Sequence, residues 1–433
     1  MWGRSLGLCV AFAAALSCGA GAGADVARAD DARPLAGQTI TVLLTDAGLP
    51  PAMAEEFERQ TGIHLNVQSP PWDEIRTKIV AAMIAGTSPG DVTVVDWSWV
   101  GQFGGAGWYR PLDGLIDQAT LDDIPTHTIF RYDGQLIGLP DNNDFRVLFY
   151  NDEHLKRAGI DKPPATLDEL AETARILKQK GITQYPIGIP MSTYETTSTT
   201  WYLLTKAFGG ELFDKDGKPL FTAPDSAGYK ALAFEMQLLK DGLISPAAPG
   251  LRDVQVHEQF TGGQISIEFS GEPGALPMHN NPKLSKIAGH AKAALVPAAD
   301  GRSRTFVLSE AYGIPKTSEH PDAALAFIKW ITAPEQQIRI YEQAGNMPTR
   351  TSVLKQLNAE GKLESGDVMI AVIPSIEPLF KNGTPAWYPQ FSSAVNTAIN
   401  QLAKDQTSLQ DAVDHIAREV EDAIAQDGDG GPT

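Results

Sequence analysis

The sequence predicts an α/β fold. Short β-branched runs alternate with amphipathic helical stretches, and glycine closes most of the helical stretches. The chain of 433 residues is 42% apolar and 20% charged, an ordinary globular balance that supplies two or three packed cores. Residues 39–44 (Thr-Ile-Thr-Val-Leu-Leu) read as a buried strand, and residues 53–60 as a helix with Met53 and Phe57 on its apolar side and Gly62 at its stop. Residues 63–67 form the second strand. Residues 72–85 are an amphipathic helix with Ile75, Ile79, Ala82 and Met83 on one face, and residues 91–95 are the third strand. This alternation predicts a largely parallel, doubly wound sheet, in which ligands bind beyond the carboxyl ends of the strands.

Residues 136–151 read as a crossing segment: Gly138-Leu139-Pro140, the polar cluster Asp141-Asn142-Asn143-Asp144, then residues 147–150. Thr166 caps a helix that runs to Lys180 and ends at Gly181. Residues 184–189 read as a strand and residues 199–208 as a helix stopped by Gly209-Gly210. Residues 225–241 form a helix stopped by Gly242, and residues 264–269 a strand. Residues 320–332 and 334–344 form a helical pair, the second closed by Gly345, and residues 409–425 a terminal helix. No internal repeat is visible.

The first 24 residues have the layout of a secretory signal peptide: Arg4, an apolar run over residues 6–16 that is too short for a bilayer span, then small residues, with Ala22-Gly23-Ala24 and Ala27-Arg28-Ala29 as the cleavage candidates. The chain is therefore expected outside the cytoplasm, in the periplasm. Both cysteines, Cys9 and Cys18, lie in this leader, so the mature chain uses no disulfide and no thiolate chemistry. A lipid anchor on Cys18 is the alternative to free release, although Leu16 stands one place away from the lipoprotein pattern. The net charge of −18 makes nucleic acid and anionic lipid poor partners and favours a soluble monomer. No phosphate loop, His-Glu-x-x-His zinc helix or Gly-x-Ser-x-Gly elbow is present, and the eight histidines show no metal spacing. The reading is a non-enzyme with no cofactor.

Several segments resemble extracellular solute-binding proteins of sugar-type ABC importers, the maltose-binding-protein-like family. They are Phe57-Glu58-Arg59-Gln60-Thr61-Gly62-Ile63, Gly86-Thr87-Ser88-Pro89-Gly90-Asp91-Val92, Gly107-Trp108-Tyr109-Arg110-Pro111-Leu112, and Gly134 through Pro140 with Val147-Leu148-Phe149-Tyr150-Asn151. Later come Phe260-Thr261-Gly262-Gly263-Gln264 with Ser270-Gly271, residues 327–337, and Gly345-Asn346-Met347-Pro348-Thr349-Arg350. Their order and spacing span residues 38–425. The resemblance implies a two-lobed periplasmic-binding-protein clamshell with a multi-segment hinge. One lobe would take residues 38–146 and 305–350, the other residues 147–304 and 351–426, with residues 427–433 as a flexible tail. The chain would cross between lobes near residues 143–147, 304–309 and 347–351. The implied function is capture of a sugar or sugar-derived solute and delivery to a membrane permease. A receptor for a polyamine or glycerophosphate, or an exported glycoside hydrolase, stands as the alternative.

A neutral sugar needs carboxylates and amides for its hydroxyls and aromatic rings for its faces. Asp46 follows the first strand, Asp96 and Trp97 follow the third, and Asp144 sits in the crossing segment; the resemblance places sugar-contacting acidic residues at these points. Each Asp could instead cap a turn. Tyr194 and Glu195 stand in a polar loop, residues 191–200, that reads equally as solvated surface. The chain departs from the family at Ser270-Gly271-Glu272-Pro273, where Glu272 takes the place of a stacking tryptophan, and at Ser309-Glu310, where a glycine pair is usual. Trp387 with Tyr388 offers an aromatic platform or simple packing. Arg350 offers a ligand contact or a hinge ion pair, and Arg146 either neutralises Asp144 or meets an anionic ligand.

Overall fold

The computed structural model describes residues 33–45, 49–380 and 383–429. The expected leader, Asp46 and residues 430–433 of the expected tail lie outside the described residues. The described residues form eleven strands: β1 (Thr39–Leu43), β2 (His64–Gln68), β3 (Val92–Asp96), the hairpin β4 (Arg131–Tyr132) and β5 (Gln135–Leu136), β6 (Leu139–Pro140), β7 (Val147–Asn151), β8 (Ile187–Gly188), β9 (Ile267–Gly271), β10 (Ala291–Ala294) and β11 (Glu310–Gly313).

The β-branched run of β1 sits between β2 and β3, parallel to both. Helix Pro51–Thr61 makes the β1-to-β2 crossover and buries Met53 and Phe57 against the sheet. It stops at Gly62, whose φ of 75° lies in the left-handed region that glycine tolerates best. β3 is buried along its whole length, which suits its β-branched run Val92-Thr93-Val94-Val95. The five-stranded sheet runs β2-β1-β3-β11-β6, and a four-stranded sheet runs β10-β7-β9-β8.

The expected largely parallel sheet holds for only part of this. β11 runs antiparallel to β3 and to β6, and β7 runs antiparallel to both β9 and β10. The crossing segments supply the reason. β3 ends at Asp96, level with Glu310 at the start of β11, so a chain arriving there from the other sheet must run back against β3. Val147, at the start of β7, is likewise level with Gly271, at the end of β9.

The three expected crossing segments lie side by side. Asn143 donates to the carbonyls of Met347 and Pro348 at 2.8 Å, and Phe145 bridges Val307. A fourth segment joins them, with Thr305 bridging Ile376. These bonds satisfy buried backbone groups where neither sheet can.

Three local expectations change. The strand expected over residues 184–189 shortens to β8, because Pro186 and Pro190 flank it and lack an N–H. The polar loop over residues 191–200 is half helix: helix Glu195–Ala207 starts four residues early and buries Thr197 through Thr200. The hydroxyls that made the stretch read as a loop bond back to the helix, as Thr200 does to the Thr196 carbonyl at 2.7 Å. The terminal helix runs Leu409–Asp429, so residues 427–429 of the expected tail are helical. Thr166 forms the expected cap, with a full capping box to Glu169.

Candidate functional site

The carboxylates gather at strand ends beside the crossing segments. Asp96 is the last residue of β3 and is buried; its Oδ1 accepts from Ser98 N at 2.8 Å and from the Ser98 hydroxyl. It therefore does cap a turn, the short helix Trp97–Trp99, while its position on the strand end keeps it among the other acids. Burial pushes its pKa up to about 7, and Glu195 adds to the rise. Glu310 stands directly across the ladder from Asp96 and accepts from Asn142 Nδ2. Burial, then the charges of Asp141, Asp96 and Asp144, hold Glu310 well above the usual carboxylate range.

Arg146 precedes β7 and is buried. Its Nη1 lies 3.0 Å from Asp144 Oδ1 and 3.0 Å from Glu272 Oε1. Thr305 fixes the backbone on both sides, donating to the Arg146 carbonyl at 2.9 Å and accepting from its N–H at 3.2 Å. Arg146 thus neutralises Asp144, one of the two roles its sequence position allowed, and Glu272 as well. Burial pushes Asp144 up to about 7 in spite of the guanidinium, and the neighbouring Glu272 and Asp96 charges add to the rise. Burial acts upward on Glu272 too, but Arg146 and His257 outweigh it and leave it below the usual range. A small pocket opens beside Arg146 and Glu272, lined also by Thr196, Thr199, Asp253 and His257.

Glu195 begins helix Glu195–Ala207, where an acid suits the helix dipole. Tyr388 donates to its Oε1 and Ser392 to its Oε2 at 2.6 Å. Burial raises its pKa against those two bonds. Tyr388 also meets Trp97 edge-on, with centroids 4.8 Å apart, so Trp97 is buried in a contact between the two halves. The Tyr194 ring is covered on one face by the Arg252 guanidinium at 3.6 Å.

Two candidates are committed elsewhere. Arg350 donates from Nε to the Thr332 carbonyl at 2.7 Å and from Nη1 to Asp123 at 3.2 Å, the hinge ion pair of its two readings. Trp387 packs edge-on against Phe213, Phe380 and Phe391, the packing alternative to a platform. Trp72 and Trp99 stack on each other at 5.4 Å, and Trp201 is fully buried, as expected for core rings.

The structure adds residues not singled out beforehand. Asp141, raised to about 6 by burial, joins the acids beside Tyr312. Arg76 donates to Gln102 at 2.7 Å and is the cation felt by Asp96. Asp141 was visible as part of a polar run. Arg76 carried no signal, since a helix-face arginine usually reads as solvated. The assembly offers carboxylate acceptors and a guanidinium donor, which suits hydroxyls or amines.

The chain matches the model of the bacterial extracellular solute-binding protein family over residues 43–338, and it belongs to that family. It is thus a solute-binding protein with the two-lobed fold expected from its motifs. A probable amino-acid ABC transporter periplasmic-binding protein of Sinorhizobium fredii is 29% identical over 336 residues, 74% of each chain. The erythritol/L-threitol-binding protein of Mycolicibacterium smegmatis is 24% identical over 376 residues, 78% of this chain and 77% of that one. Among solved structures, an ABC transporter solute-binding protein of Thermotoga lettingae bound with α-D-tagatose superposes with a TM-score of 0.76 at 25% identity, covering 89% of this chain and 100% of the other. Among the described residues, no helix is long and apolar enough to cross a membrane.

Proposed function

We propose that the protein is the periplasmic receptor of an ABC importer for a small polyhydroxylated solute, a sugar alcohol or monosaccharide, which it releases unaltered to the membrane permease. The observation that carries this reading is the set of acids Asp96, Asp144, Glu195, Glu272 and Glu310, of which Asp96 is buried and the others half-buried, with Arg146 pairing Asp144 and Glu272. Ionised or protonated, they match a dense array of hydroxyls. The aromatic residues argue for a small guest: Trp387 is packed away, Trp97 meets Tyr388, and one Tyr194 face is covered. Oligosaccharides want open rings to stack on. The relatives that bind erythritol or threitol and tagatose support the same size class.

The lobes are residues 38–146 with 305–350, and residues 147–304 with 351–426, and they close about the crossing segments. Asp96, Trp97, Asp144, Glu195, Glu272 and Glu310 contact the guest, with Tyr194 at the rim. The leader directs export, with release favoured over an anchor on Cys18. A second reading, an amine-bearing solute, is favoured by the excess of carboxylates over Arg76, Arg146 and His257. A thermal-shift and calorimetric panel of polyols, monosaccharides, amino acids and polyamines tests both. A polyol or monosaccharide that binds one to one supports the first reading. Binding confined to amines supports the second, and consumption of the solute contradicts both.

A further inference from the structure

Glu268 is the second residue of β9, level with Phe149 on one side and Gly188 on the other, and is 2% exposed. Such a position normally holds an apolar side chain. Two imidazoles converge on it from separate elements, His257 from helix Asp253–Thr261 and His279 from helix Leu276–His279. His257 Nδ1 lies 2.7 Å from Oε1, and His279 Nε2 lies 3.6 Å from Oε2. The donor atoms of all three residues fall within 4.8 Å of one another.

The cluster is not satisfied by hydrogen bonds. Both nitrogens of His279, which is fully buried, have no partner, nor does Glu268 Oε2, and the His257 contact is close but misaligned for a hydrogen bond. Buried polar groups left in this state call for a cause. Phe149 and Phe260 meet the His279 ring edge-on at 5.2 and 4.9 Å, giving the apolar collar that confines a metal ion. Two imidazoles and one carboxylate are a donor set for zinc.

We propose that His257, Glu268 and His279 form a zinc site behind the solute cleft. Glu272 Oε2 lies 4.0 Å from His257 Nε2 and also pairs with Arg146, so the site adjoins the residues that hold the cleft. An ion there ties two helices to β9. The sequence concealed the set because its members are eleven residues apart, outside any helical or loop metal motif.

The test uses the full chain, stripped with chelator and titrated with Co²⁺ and then Zn²⁺. One equivalent of Co²⁺ giving visible d–d absorption, displaced by Zn²⁺ with a rise in Tm, is the expected result. His257→Gln, chosen because His257 is the least buried of the three, should weaken uptake by more than about 100-fold while circular dichroism stays native. Absence of uptake at low-micromolar metal overturns the proposal, and so does equal uptake by His257→Gln. If His279→Ala does not fold, the His257 variant decides alone. Solute affinity does not enter this test, so failure of the polyol reading leaves it standing.

Discussion

The two sheets carry polar groups in different ways. In the five-stranded sheet the strand interiors are apolar, with Ile40, Val42, Val94 and Val95 buried, and the charges stand at the cleft ends, Asp96 and Glu310. A buried hydroxyl there is answered: Thr93 Oγ1 and the Tyr109 hydroxyl are 2.5 Å apart. In the four-stranded sheet a carboxylate, Glu268, sits within a strand that is paired on both sides and keeps an oxygen with no hydrogen-bond partner. The difference teaches that an acid at a strand end is available to the guest proposed for the cleft, whereas an acid flanked by strands on both sides requires a partner of its own.

Arg146→Met would break the comparison most severely. It leaves Asp144 and Glu272 without their shared cation. Loss of one partner from a buried ion pair costs about 3–5 kcal/mol, so denaturant unfolding should shift by that order, with solute binding lost as well. Asp144→Ala acts on the guest more than on the fold. A hydrogen bond to a charged group is worth about 1.5–3 kcal/mol, which predicts roughly 10- to 100-fold weaker binding by calorimetry.

The raised acids of the cleft make stability depend on pH. Asp96 has its folded pKa raised to about 7, above the unfolded value of about 4. The folded chain then holds a proton that the unfolded chain has lost, so this contribution to stability is full below about pH 4 and disappears as pH rises through 7. The solute-free protein should melt at a lower temperature at pH 7.5 than at about pH 5 through this group, and Asp96→Asn should flatten the slope. Guest hydroxyls that donate to Asp96 favour its ionised form, so affinity should rise over the same interval. The smallest effect is expected from Trp387→Phe. It trims a packed ring outside the acid cluster and should leave affinity within about twofold, with a stability loss of about 1 kcal/mol seen in thermal melts.

Much of the frame was legible because local rules agreed with the fold. β1, β3, the Thr166 cap and the glycine stops at Gly62 and Gly345 form where periodicity and cap chemistry place them. Asp96 and Asp144 could be named because strand ends and polar crossing segments are short-range features. What escaped depended on long-range pairing. The antiparallel entry of β11 follows from the chain returning across the hinge, which no local pattern encodes. Arg146 serves acids at positions 144 and 272, one of them far along the chain. The Thr-rich start of helix Glu195–Ala207 has poor helix propensity, and tertiary burial overrides it. Trp387 and Arg350 were ambiguous in sequence because packing and ion pairing use the same side chains as recognition.

The central claim is that an acid-lined cleft between the lobes holds a small hydroxyl-rich guest without altering it. Isothermal titration of the full chain against C4 to C6 polyols and monosaccharides tests it most directly. The account predicts saturable one-to-one binding of at least one of them, sharply weakened in Asp144→Ala, with the guest recovered intact. No heat from any of them, or unchanged affinity in Asp144→Ala, would contradict it.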